Sequence, residues 1–233
     1  MLTRANALAI MAKAPVPGTV KTRLVPPLTA EQAAELYRAL LLDHLAHLKN
    51  LEGAALYLAY APDEVATIFR ELGGGAYHYI AQKGEDLGER MKNVFADLWR
   101  FGHRNAVVIG SDLPALPLQI LNDAFTRLSR RKIQVVLGPS EDGGYYLMGM
   151  KQPVPELFDN MTWSHERVLA ETTERLNALG RSYDLLPSWF DLDRVEDLRR
   201  LHALRNSALA RSSPRTLAYL EQLNRLGCLD LGG

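Results

Sequence analysis

The chain has 233 residues, 47% hydrophobic and 23% charged, which is length for one large domain or two small ones and the balance of a globular rather than a disordered protein. Its 27 Lys and Arg match 27 Asp and Glu, so the basic excess of a nonspecific nucleic-acid binder is missing. A single cysteine, Cys228, excludes an internal disulfide and a cysteine-built metal site, and no run of about 18 apolar residues suggests a membrane span.

The first twelve residues carry an apolar stretch after Arg4, but Lys13 and two prolines, Pro15 and Pro17, follow at once. Residues 7–12 are therefore read as a buried strand and not as a signal peptide, and a cytoplasmic enzyme or binding domain is expected. A Pro- and Gly-rich loop spans residues 14–27. Thr29 then opens a long helix with Gln32 as its capping-box partner, and Ala34, Tyr37, Leu41, Leu45 and Leu48 form the apolar face. Residues 54–60 read as a strand, 62–72 as a helix stopped by glycines, and 77–81 as a strand. Asp86 caps a helix whose stripe is Leu87, Met91, Val94, Phe95 and Leu98.

Residues 106–109 are apolar on both faces, which suits the centre of a parallel sheet. A helix over 117–129, strands over 133–137 and 145–150, a helix over 164–179, a strand over 183–186 and helical structure to about residue 226 complete the chain. This alternation predicts an α/β fold with a mostly parallel twisted sheet and helices on both faces, as one domain over 1–233 with 199–233 as a C-terminal helical extension. Ligands of such sheets bind beyond the carboxyl ends of the strands.

Four strand-end loops carry candidate chemistry. The first holds Lys13, Gly18, Lys21 and Arg23, cations on a loop stiffened by two prolines, which suits a di- or triphosphate but lacks Walker A spacing. The alternative is a solvated, charged loop. The second, Gly110-Ser111-Asp112-Leu113-Pro114, puts a hard oxygen ligand at the end of the most apolar strand; Asp112 could equally cap the next helix. The third, Glu141-Asp142-Gly143-Gly144-Tyr145-Tyr146, is an acid loop or a plain Asp-Gly turn. In the fourth, first-turn placement on a helix explains Glu196 and Asp197 well, and Asp191 and Asp193 less completely. His44 and His47 have no third ligand for zinc. Nucleophile-elbow and Rossmann glycine motifs are missing.

Taken in order, Met11-Ala12-Lys13-Ala14-Pro15-Val16-Pro17-Gly18 with Lys21-Thr22-Arg23-Leu24, Gln82 with Asp86-Leu87-Gly88-Glu89-Arg90-Met91, Gly110-Ser111-Asp112-Leu113-Pro114, Glu141-Asp142-Gly143-Gly144-Tyr145-Tyr146-Leu147, and Asp191-Leu192-Asp193 with Glu196-Asp197-Leu198 resemble the bacterial nucleotide-diphospho-sugar transferase-like proteins, family glycosyltransferases of the glycosyltransferase-A fold. The resemblance spans residues 11–198. It implies metal-dependent glycosyl transfer from a nucleotide-diphosphate sugar to a small-molecule acceptor. The nearest functional neighbours in the fold class are guanylyltransferases, so nucleotidyl transfer is the alternative, and a non-catalytic nucleotide-binding module is a third.

The implied roles follow position by position. Asp112 and Asp193 would bind Mg²⁺ or Mn²⁺. Ala12, Lys13, Gly18, Lys21, Arg23, Gln82, Gly88 and Ser111 would bind the nucleotide, with Lys13, Lys21 and Arg23 on its phosphates. Asp142 would take the acceptor's proton, with Gly143, Gly144 and Trp163 shaping the sugar or acceptor pocket. The sequence departs from the family at His165 and at Arg194-Val195, both on the acceptor side. No oligomeric state is implied.

Overall fold

In the computed structural model of the chain, residues 5–207 and 209–231 are described, so residues 1–4 of the N-terminal stretch lie outside the description. Seven strands form one sheet: β1 (Asn6–Lys13), β2 (Ala54–Ala61), β3 (His78–Ala81), β4 (Asn105–Gly110), β5 (Val135–Pro139), β6 (Tyr145–Met150) and β7 (Tyr183–Leu185). Their order is β3-β2-β1-β4-β6-β5-β7. β1 pairs in parallel with β2 and β4, and β6 alone runs antiparallel, between β4 and β5. The sheet is mostly parallel, as the alternation of elements predicts.

Period-two alternation sorts the central strands between two apolar layers. Leu8, Ile10, Val107 and Ile109 pack on one face under α1 (Ala30–Leu48), α2 (Ala66–Gly73) and α4 (Leu118–Ser129). Ala7, Ala9, Ala106 and Val108 pack on the other, under Met91, Val94, Phe95 and Leu98 of α3 (Leu87–Arg100) and Leu176 of α5 (Val168–Ala178). Helix α1 begins where the capping box places it: Thr29 N–H donates to Gln32 Oε1 at 2.9 Å and Gln32 N–H to Thr29 Oγ1 at 3.2 Å. Asp86 accepts from Glu89 N–H at 2.8 Å, opening α3.

Helix α1 also carries a second apolar stripe. Ala33, Leu36 and Leu40 pack with Leu198 and Leu201 of α6 (Val195–Ala203) and with Leu217, Leu220 and Leu223 of α7 (Pro214–Arg225). The C-terminal region is thus fastened to the helix that covers β1. It is not one continuous helix: α6 ends at Ala203, a short 3₁₀ turn covers Leu209–Ser212, and Pro214, which needs no N–H partner in a first turn, starts α7. Helix α5 starts at Val168 and not at Ser164, whose φ of 66° is left-handed. Among the described residues no helix is long and apolar enough to cross a membrane.

The α1–α7 junction rests on one buried acid. Asp43, 1% exposed, accepts from Arg215 N–H (3.2 Å), Thr216 N–H (2.8 Å), Thr216 Oγ1 (2.9 Å) and Arg215 Nη1 (3.2 Å). It satisfies helix-end donors that have no partner within the helix. Asp43→Ala leaves buried donors unpaired and should cost about 3 kcal/mol in urea denaturation, with Asp43→Asn costing less because it keeps an acceptor. A loss under about 0.5 kcal/mol, the size of an ordinary surface substitution, would show that the junction is held otherwise.

Candidate active site

Parallel pairing of β1 with β4 brings the first loop and the Asp112 loop to the same edge of the sheet. Gly18 turns the first loop with φ 79° and open space around it. Lys21 then takes a left-handed backbone (φ 48°, ψ 37°) and caps a short 3₁₀ turn, Thr22–Leu24. Leu24 is fully buried in the layer under α1, α6 and α7, which anchors that turn. The outcome is a split of the loop's cations: Lys21 points inward with 4% of its side chain exposed, and Arg23 outward with 59% exposed.

The Lys21 ammonium lies between two acids, Asp112 just after β4 and Asp193 just before α6, 3.0 Å from Asp112 Oδ2 and 2.8 Å from Asp193 Oδ1. Arg23 Nη1 takes the other oxygen of Asp193 at 2.9 Å. Burial disfavours the Lys21 charge, but Asp112 and Asp193 outweigh it and hold the ammonium above its ordinary range. Burial likewise opposes ionisation of Asp193, and Lys21 and Arg23 outweigh it in turn. Backbone pairing completes the contact, with Leu192 N–H donating to the Asp112 carbonyl at 3.0 Å.

Tyr37 supports this cluster from beneath. Its hydroxyl lies 2.7 Å from Ser111 Oγ and accepts from Lys13 N–H at 3.2 Å, and its ring centre is 6.0 Å from Lys21 Nζ. On the β2 side, Gln82 Nε2 donates to the carbonyls of Ala12 (3.1 Å) and Ala59 (2.8 Å). Both amide hydrogens of Gln82 are thus spent on backbone carbonyls of β1 and β2.

On the other side lies a second group of acids. Ser140 Oγ is 2.7 Å from Asp142 Oδ1 and 2.8 Å from Asp191 Oδ2, and Gly144 N–H donates to Asp142 Oδ1 at 3.1 Å. One hydroxyl has one proton for two carboxylates. Burial, and then the nearby Asp112 charge, push Asp191 up to about 7, against the Ser140 hydrogen bond and with Asp142 adding to the rise. Gly143 has φ 90°, and a Cβ there would sit 1.9 Å from the Glu166 carbonyl oxygen, so the turn requires glycine. Arg200 clamps the same loop, 2.7 Å from Glu141 and 4.0 Å above the Phe190 ring.

The structure therefore brings Ala12, Lys13, Lys21, Arg23, Gln82, Ser111, Asp112 and Asp193 to one strand edge, with Asp142, Gly143 and Gly144 beside it. Gly88 and Trp163 pack against each other: a Cβ on Gly88 would meet Trp163 Nε1 at 2.4 Å, and the indole packs on Phe158 and edge-on to Tyr145, the residue that follows Gly144. Asp191, Ser140 and Tyr37 are parts of the site absent from the candidates drawn from sequence. Asp191 gave a signal, an acid that helix capping leaves only partly explained. Tyr37 reads as a core residue at helical spacing and shows nothing of its hydroxyl.

The donor set suits a divalent cation. Two hard carboxylates, Asp112 and Asp193, converge on one positive charge, and Asp112 keeps its second oxygen. Among the described residues no group of three or more His, Cys, Asp or Glu is placed to hold an ion unaided. Mg²⁺ commonly takes one or two carboxylates together with substrate phosphates.

This sheet order, with its acids and cations at the carboxyl ends, is the fold of nucleotide-diphospho-sugar transferases. A protein of Desulfovibrio desulfuricans G20 provisionally named as one matches with a TM-score of 0.88 and 33% identity over 97% of both chains. The chain belongs to the family described as uncharacterized protein conserved in bacteria (DUF2064), whose model matches residues 44–165. A cytidylyltransferase from Leptospira borgpetersenii serovar Hardjo-bovis (TM-score 0.57, 13% identity, 96% of this chain and 95% of that one) shares the fold alone. So does the inositol-1-phosphate CTP transferase from T. maritima (0.54, 14%, 92% and 98%). No curated protein matches the chain.

The raised Asp191 carboxyl has a measurable consequence. The folded chain keeps this proton at pH values where the unfolded chain has lost it, so the group's contribution to stability falls as pH rises from about 4 through about 7. Asp191→Asn removes that penalty. Its melting temperature relative to the parent should rise between about pH 5 and pH 7 and level off above that; a difference independent of pH from about 5 to about 7 would show that Asp191 ionises normally.

Proposed function

We propose that this protein transfers a glycosyl group from a nucleoside-diphosphate sugar to a small-molecule acceptor, using Mg²⁺ or Mn²⁺ held at Asp112 with Asp193. One observation carries the reading: the Lys21–Asp112–Asp193–Arg23 cluster at the strand ends lies beside a separate acid pair, Asp142 and Asp191, joined through Ser140. The cluster suits the phosphates and the acid pair suits the reacting sugar. Binding alone would need neither the second pair nor its position.

The acceptor hydroxyl attacks the anomeric carbon and gives its proton to Asp142. The bond from that carbon to the diphosphate oxygen breaks, and its electron pair leaves with the nucleoside diphosphate. A bound divalent cation would neutralise charge on that leaving group. Arg23, exposed on the first loop, and Lys13 at the end of β1 bind its oxygens by charge-assisted hydrogen bonds, each worth about 1.5–3 kcal/mol. Gln82 offers its amide oxygen to the nucleoside on the β2 side.

Nucleotidyl transfer is the second reading. It is favoured by the outward cations of the first loop, which would equally suit a departing pyrophosphate, and the cytidylyltransferases that share the fold fit it.

Two measurements test these readings. In calorimetry with Mn²⁺, Asp112→Asn should keep the parent's fold and bind nucleoside diphosphate at least about tenfold more weakly; equal affinity would remove Asp112 from the metal site. For the reaction itself, the protein is incubated with Mn²⁺, nucleotide sugars, nucleoside triphosphates and a cell extract as acceptor source. Release of nucleoside diphosphate from a sugar donor, lost in Asp142→Ala, is the expected result. Extract-dependent pyrophosphate release with all sugar donors intact would instead establish nucleotidyl transfer.

A further inference from the structure

The place of Lys21 does not follow from phosphate binding. A lysine meant only to hold phosphate would keep its ammonium open to the crevice. Here it is 4% exposed, fixed by a left-handed backbone and by the buried Leu24, and set at the point where Asp112 and Asp193 converge. With Arg23 on the far oxygen of Asp193, two positive side chains meet two negative ones. A free dication approaching these acids meets an ammonium already at their focus, and with Arg23 the two cations offset the charge of the two carboxylates that would attract it.

On the reading that this site works on nucleoside diphosphates with a divalent cation, we infer that Lys21 is an internal counter-cation that suppresses binding of the free metal ion and makes it arrive together with the phosphates. Three features support this. Lys21 occupies one oxygen of each carboxylate and Arg23 the other oxygen of Asp193, so before phosphates arrive only Asp112 offers a metal an oxygen that no cation holds. No third ligand of the His, Cys, Asp or Glu type closes a cage among the described residues. A diphosphate supplies what the protein withholds, since it brings negative charge and further oxygen ligands. Lys21 is thus a positioning residue that sets the order of assembly. Asp112 and Asp193 stay together without a metal because the ammonium between them offsets their mutual repulsion, so the site is organised before substrate enters.

Equilibrium dialysis against Mn²⁺ tests this without recourse to activity, using inorganic pyrophosphate as the probe. The unmodified protein should retain Mn²⁺ at least about tenfold more tightly with pyrophosphate than without it. Lys21→Met, with folding checked by circular dichroism, should gain at least about tenfold in affinity for Mn²⁺ alone. The first comparison needs no variant, so it stands even if the substitution unfolds the chain. Tight retention of Mn²⁺ alone by the unmodified protein, or a folded Lys21→Met with no gain, overturns the ordering and leaves the metal-dependent reading in place. Absence of Mn²⁺ binding in every arm, pyrophosphate included, overturns both.

Discussion

A lysine ammonium buried between two carboxylates is the contact on which the candidate site depends. Lys21, Asp112 and Asp193 come from the loops after β1 and β4 and from the segment leading to α6, parts of the chain up to 172 residues apart. Such a cluster is a poor source of net stability, because burying the charges costs about as much as pairing them returns. Removing one partner is another matter, since it leaves an uncompensated charge behind. The cluster therefore acts more as a register pin than as glue. It allows one position for the first loop, the one that places Arg23 outward and Lys13 at the strand end.

The surrounding packing serves that pin. Leu24 is held by α1, α6 and α7, and those helices are held to one another by the second stripe of α1 and by Asp43 of α1, which accepts from the first turn of α7. The C-terminal segment thus contributes to the site by holding Leu24, and with it the turn that carries Lys21 and Arg23. Across the sheet, Gly143 against the Glu166 carbonyl and Arg200 against Glu141 fix the acid loop in the same manner. Both halves are organised by buried or clamped contacts outside the crevice, which leaves Asp112, Asp142 and Arg23 partly open at its surface.

Much of this was legible in the sequence. The two-faced apolar run of β4, the capping box of Thr29 and Gln32 and the alternation of elements led to the observed sheet, because burial and capping are local rules. The strand-end acids were legible for the same reason, since their position follows from the strands. What could not be read was the partner of each charge. Lys21 resembles any loop cation until its left-handed backbone turns it inward. Ser140 and Tyr37 reveal their roles only through hydroxyls that meet residues 51 and 74 positions away. The start of α5, placed too early from sequence, traces to Ser164 and its positive φ.

The most direct test of the central contact is a double-mutant cycle. Urea denaturation of the parent, Lys21→Met, Asp112→Asn and the double variant measures how strongly the two side chains depend on each other. If the ammonium and the Asp112 carboxylate form the pin described above, the coupling should reach about 1.5 kcal/mol or more. Additive effects, with coupling under about 0.5 kcal/mol, would show that Lys21 and Asp112 lie near one another without either holding the other in place.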